Sequence, residues 1–207
     1  MSVTVVGFDT DQTITKGEVS CLMSSPYYWV GRYITSWSGS YTLTSSEVSY
    51  IHQAGLSIVS IWMGAQWSTS PLTMNGANGT TEGQMAVNSA ISLGQVQKSV
   101  IVLDIESWDT TVSSSINYAE YCNNWATAVN SGGYFPCLYA NASTFNAMGS
   151  TVKSHFDGFW IATGAPISSI PSGYAIAQGT NENSTCGVTP IDYDLMNSSD
   201  FTGDWTW

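Results

Sequence analysis

Two spacings alternate along this chain. "VTVVGFD" (3–9) is a short apolar run that stops at an acid, and it predicts a buried strand. The same kind of run recurs in "YYWVGRYI" (27–34), "LSIVSIWM" (56–63), "SVIVLDIE" (99–106) and "YFPCLYAN" (134–141). Helical spacing fills most of the gaps. "LTSSEVSYIHQAG" (43–55) predicts a helix with Thr44 as N-cap, Glu47 three residues on as in a capping box, and Gly55 as its stop. "TTEGQMAVNSAISLG" (80–94) predicts a second helix, closed by Gly94. "SINYAEYCNNWATAVNSGG" (115–133) predicts the longest, again ended by glycine.

Past residue 141 the rhythm changes. "STFNAMGS" holds at most two helical turns. "FDGFWIAT" (156–163), "GYAIAQG" (173–179) and "TPIDYDLM" (189–196) read as short strands joined by loops. Strands apolar on both faces and separated by helices imply a parallel sheet covered by helices. Eight candidate strands suggest closure. The expected fold is therefore α/β, an irregular TIM-like barrel of five β/α units followed by three strands, (β/α)5β3. The alternative is an open doubly wound sheet, which the absence of a G-x-G-x-x-G after the first strand disfavours. No repeat, charge block or linker divides the 207 residues, so one domain is expected.

Composition narrows the function. Only 9% of residues are charged, with four Lys or Arg against fifteen Asp or Glu, a net charge of −11. Nucleic acid and anionic membrane surfaces both need a basic patch, so neither is an expected partner. No apolar run reaches the ~20 residues of a membrane span. Ser, Thr, Asn and Gly must carry solubility, a surface that suits an extracellular or cell-surface protein and also self-assembly. Sequons at Asn78, Asn141, Asn183 and Asn197 permit glycosylation. The four cysteines form no C-x-x-C and there are two histidines, so neither zinc nor another cofactor is expected. Two disulfides or four buried thiols remain. If bonded, Cys122 is expected to meet Cys137, because the helix after strand four packs beside strand five. Cys21 is expected to meet Cys186 where the barrel closes on strand one.

In a parallel barrel the C-terminal strand ends build the active site. Those ends carry Asp9; Arg32 and Tyr33; Trp62; Asp104 and Glu106; Tyr139 and Asn141; Trp160; Gln178; and Asp192 and Asp194. Side chains at i and i+2 of a strand share a face, so Asp104 and Glu106 lie roughly 6–7 Å apart along one strand. Close carboxyls in a partly apolar site cannot both ionise freely, and the one pushed up suits a general acid. Glycoside hydrolysis uses such a pair. A serine triad would need one of the two histidines, and no G-x-S-x-G is present.

At this point the order of motifs becomes informative. "VVGFDT", "WVGRYI", "LTSSEVSYIHQAGLSIVSIW", "AVNSAISLGQ", "VIVLDIES", "GYFPCLYAN", "FWIAT" and "PIDYDLMN" follow one another across nearly the whole chain. This resembles the glycoside-hydrolase-like domain of unknown function numbered 1906, and is more distantly similar to the family 25 lysozymes. The resemblance implies a (β/α)5β3 barrel and muramidase chemistry without a cofactor. It implies Glu106 as general acid, and Asp104 as the group that orients the substrate's N-acetyl during neighbouring-group attack. Asp9 and Asp192 match the acids of the first and last strands. Trp160 and Gln178 fall where sugar-contacting or rim residues lie. "GRYI" fits the unknown-function family better than the lysozymes.

Two expectations follow. One is a secreted glycosidase acting on peptidoglycan or another N-acetylated polysaccharide. The other is a non-catalytic glycan-binding or structural surface protein on the same barrel, which the low-charge surface also fits.

Overall fold

The computed structural model describes residues 4–35, 42–65, 73–110, 113, 116–180, 183–197 and 206–207. The first residues of the expected 3–9 strand and 115–133 helix lie outside that set. Strands β1 (Thr4–Asp9), β2 (Trp29–Tyr33), β3 (Ser57–Met63), β4 (Val100–Asp104), β5 (Phe135–Asn141), β6 (Gly158–Ala162) and β7 (Ile176–Gln178) pair in sequence order, all parallel. A short β8 (Asn183–Thr185) leads into β9 (Val188–Asn197), which joins β7 to β1 and closes an eight-stranded barrel. The expected irregular (β/α)5β3 barrel is therefore present, its parallel strands closed by one strand, β9, that runs antiparallel to both neighbours.

The helices are α1 (Val19–Leu22), α2 (Ser45–Gln53), α3 (Gly76–Leu93), α4 (Tyr118–Ser131), α5 (Ala142–Ala147) and α6 (Ser150–Lys153). Side chains explain their starts. Thr44, Asn75, Asn117 and Asn141 each accept a hydrogen bond from the backbone N–H three residues on. Gly94 closes α3 in the left-handed region at φ +83°. The capping box at Thr44 is only half made, because Glu47 turns inward instead of back to the cap.

Two apolar layers result. Residues on one strand face, with Phe8, Val30, Ile58, Leu103 and Leu138, pack against the helices around Trp125 and Ile51. Residues on the other face fill the barrel, among them Trp29, Val59, Ile61, Val102, Cys137, Trp160 and Ile176. Two glycines make room inside. A Cβ on Gly7 would lie 2.1 Å from the Trp29 ring, and one on Gly31 would lie 2.8 Å from both Asp9 Cβ and Trp160.

Cys21 and Cys186 are disulfide-bonded, tying α1 to the β8–β9 turn. Cys122 and Cys137 are free and buried, which corrects the second expected bond. The reason is parity: Cys137 faces the barrel interior, while Cys122 sits in the helix layer, on the other side of β5.

Candidate active site

β4 shows how the chain delivers acids to the barrel mouth. Val100 and Val102 point inward, and Ile101 and Leu103 pack against helices. The same alternation puts Asp104 inside at 1% exposure, and continuing it brings Glu106 to the exposed rim on the same side. The segment past Asp104 is held in place. Ile105 N–H donates to Tyr139 C=O at 2.9 Å. The Glu106 carbonyl accepts from Asn141 Nδ2 at 2.7 Å and Thr144 Oγ1 at 2.8 Å.

The closing strand brings the other acids. Asp192 lies directly opposite Asp9 in the β1–β9 ladder, and Asp194 lies opposite both Gly7 and Gln178. Like charges directly opposite one another are unfavourable, so this placement needs either a use or a proton. A hydrogen-bonded chain links the layer. Tyr139 OH donates to Gln178 Oε1 at 2.7 Å, and Gln178 Nε2 donates to Asp9 Oδ2 at 2.6 Å. Trp160 Nε1 donates to Asp194 Oδ1 at 3.0 Å. Tyr33 OH makes a longer contact, 3.5 Å, with Asp104 Oδ2. Trp160 also packs edge-on against Trp29 and Tyr139.

Burial dominates the electrostatics. It pushes Asp9 up to about 7, with Asp192 adding to the rise and the Asp194 and Gln178 hydrogen bonds and the Arg32 charge opposing it. Burial, then Glu106 and Asp9, hold Asp104 well above the usual carboxylate range. Burial, then Asp9, do the same to Asp194. Glu106 is raised by partial desolvation and by Asp192. The deep carboxyls therefore tend to neutrality, and Glu106 is the acid among these that stands exposed at the rim. Asp9, Tyr33, Ile61, Asp104, Tyr139 and Trp160 line a deep pocket of only about 10 Å³. That holds about one water.

The fold thus gathers Glu106, Asp104, Asp9, Asp192, Tyr33, Tyr139, Trp160 and Gln178 at one mouth, with Asp194 fully buried one strand step below Asp9. Three expected contributors are placed otherwise. Arg32 alternates with Tyr33 and so faces the helices, fully buried, with Nε 2.7 Å from Glu47 Oε1 and Nη1 donating to Thr10 C=O. Trp62 faces the same layer and donates to Glu82 Oε2 at 2.8 Å. Asn141 is consumed by backbone: its Nδ2 holds Glu106 and its Oδ1 caps α5. It serves the site by fixing Glu106. Thr144, the second clamp on that carbonyl, carried no sequence signal beyond its place after a strand end. Trp108, two residues past Glu106, packs edge-on against Tyr118 on the helix-layer core. Among the described residues no cluster of His, Cys, Asp and Glu is arranged to hold a metal.

The family model described as "Rv2525c-like, glycoside hydrolase-like domain" matches residues 20–199. No curated protein matches the chain. Among solved structures, an uncharacterised protein of B. stearothermophilus is similar at 20% identity and TM-score 0.71, over 98% of this chain and 100% of that one. The Tat-secreted protein Rv2525c of Mycobacterium tuberculosis, solved with L-tartrate, is similar at 17% identity and TM-score 0.69, over 97% and 98%. A glycosyl hydrolase 25 of Streptococcus pneumoniae is similar at 14% identity and TM-score 0.65, over 94% and 87%.

Proposed function

The chain belongs to the Rv2525c-like, glycoside hydrolase-like family, and on that premise we propose that it is a muramidase-like glycosidase acting on peptidoglycan or another N-acetylated polysaccharide. One observation carries the reading: an exposed, pKa-raised Glu106 stands one strand step above buried Asp104, with Asp9 and Asp192 paired on neighbouring strands of the same mouth.

Glu106 gives its proton to the glycosidic oxygen as the bond from that oxygen to the anomeric carbon breaks. The substrate's own acetamide oxygen forms a bond to the anomeric carbon, with Asp104 orienting the N-acetyl group. Water then attacks the same carbon, the bond from that carbon to the acetamide oxygen breaks to restore the N-acetyl group, and the water's proton passes to the Glu106 carboxylate. Partial desolvation and then the Asp192 charge raise the Glu106 carboxyl, which favours its protonated form. Tyr33, Tyr139, Trp160 and Gln178 shape the floor beneath the sugar. A disulfide fits an oxidising compartment, so the site of action is extracellular or at the cell surface.

A second reading is glycan binding without cleavage, or a structural role at the surface. The net charge of −11 favours it, because Arg32 is buried and lysines alone remain to meet an anionic wall. The test is release of reducing ends from peptidoglycan and from N-acetylated chitooligosaccharides. The expected result is cleavage by the parent, and a loss on the order of 10²-fold or more in Glu106→Gln, which keeps the shape but cannot deliver a proton. Binding of those glycans with no cleavage by the parent selects the second reading.

A further inference from the structure

Asp194 was expected to bind substrate, but it lies behind Asp9 and is fully buried. Its Oδ1 accepts from Trp160 Nε1. No protein donor among the described residues reaches its buried Oδ2. What Asp194 does touch is the carboxyl of Asp9. The two residues are not equivalent. Tyr139 OH occupies Gln178 Oε1, which turns Gln178 Nε2 toward Asp9. Asp9 is therefore an acceptor on one side already. Two carboxylates in contact, one of them with an oxygen lacking any donor, would be strongly unfavourable. A proton on the Asp194 carboxyl turns the same contact into an O–H···O bond and leaves Asp9 accepting from both sides.

We infer that Asp194 is a protonated positioning residue, whose O–H donates to Asp9 and fixes the Asp9 carboxylate toward the mouth. The titratable groups facing this pair are Asp192 on β9, Asp104 on β4, Tyr33 on β2 and Tyr139 on β5, and the cation whose field reaches Asp9 is Arg32. The acids all oppose a second negative charge, and burial acts in the same direction. Asp9 is the member of the pair that titrates near neutrality. The inference rests on the glycosidase reading only for what Asp9 then does to a substrate; the position of the proton does not need it.

The experiment is a carboxyl-carbon NMR titration of the full chain labelled at aspartate, with Asp9 and Asp194 assigned by Asp9→Asn and Asp194→Asn. Asp194 is expected to stay protonated while Asp9 ionises. In Asp194→Asn the amide replaces the O–H donor and the charge is unchanged, so the Asp9 midpoint should move by less than about half a pH unit. In Asp194→Ala the donor is lost and the midpoint should rise. A fall of about one pH unit or more in Asp194→Asn is the mark of a removed negative charge and would overturn the inference. An ionised Asp194 at neutral pH would do the same. If Asp194→Ala does not fold, parent against Asp194→Asn decides. Glycan cleavage is read separately. Retention in Asp194→Asn with loss in Asp194→Ala supports the positioning role. A parent that cleaves nothing removes the glycosidase reading and leaves the titration intact.

Discussion

At the scale of single residues, one step of strand parity decides who meets substrate. Asp104 and Glu106 are two apart, so their shared face was legible from the sequence alone. Arg32 and Trp62 sit in strands apolar on both faces, where no polar alternation says which side is the barrel. Only the packing reveals that both face helices. Their partners then explain them: Arg32 binds Glu47, which also accepts from Ile14 N–H at 2.9 Å, and the three elements are stitched together in the dry layer. Arg32→Ala leaves Glu47 as an uncompensated buried charge and should cost about 3–5 kcal/mol in chemical denaturation. The folded variant should keep the parent KM for glycan, because Arg32 touches no substrate. A raised KM with unchanged stability would return Arg32 to the binding site.

At the scale of elements, the helix caps were partly readable and one buried acid was not. Thr44 and Gly94 are where short-range chemistry puts them. Glu82 was hidden because α3 starts at Gly76, before the 80–94 segment that the apolar spacing marked. Glu82 lies in the helix interior and is fully buried. Its Oε2 accepts from Trp62 Nε1 and, at 2.5 Å, from Tyr121 OH, which itself accepts from Ala65 N–H. This joins β3, α3 and α4. Burial raises Glu82 from 4.5 to about 7, against the pull of those two donors. The native state then binds more protons than the unfolded chain between these values. Stability from this group is full below pH ~4.5 and is lost as pH rises through about 7, a change of about 3 kcal/mol. Glu82→Gln keeps an acceptor for Trp62 and Tyr121 but cannot ionise, so its stability should fall less steeply across that window. Parallel denaturation profiles for parent and variant would show that Glu82 is not protonated in the fold.

At the scale of the whole molecule, closure is what makes a site of scattered acids. The barrel was legible because apolar runs and helical segments alternate; the direction of the last strand was not, since a ladder between β1 and β9 depends on no local signal. That reversal is what sets Asp192 against Asp9 and Asp194 against Gly7. The bond between Cys21 and Cys186 reinforces closure from outside, joining the segment after β1 to the turn before β9 across 165 positions. A loop of that length removes enough unfolded-state entropy to contribute about 5 kcal/mol in the chain-entropy treatment. Cys122 and Cys137 contribute no crosslink and are buried in separate layers, so their thiols should react only on global unfolding. Three measurements follow from this. Native protein should label slowly at both thiols. Protein unfolded without reductant should expose Cys122 and Cys137 alone, and reduction should add Cys21 and Cys186. The Cys21→Ser/Cys186→Ser variant should lose several kcal/mol of stability, with glycan cleavage falling only as far as the unfolded fraction grows. If that variant instead unfolds at the parent's denaturant midpoint, the β1–β9 ladder alone closes the barrel, and the disulfide does no more than tie down α1.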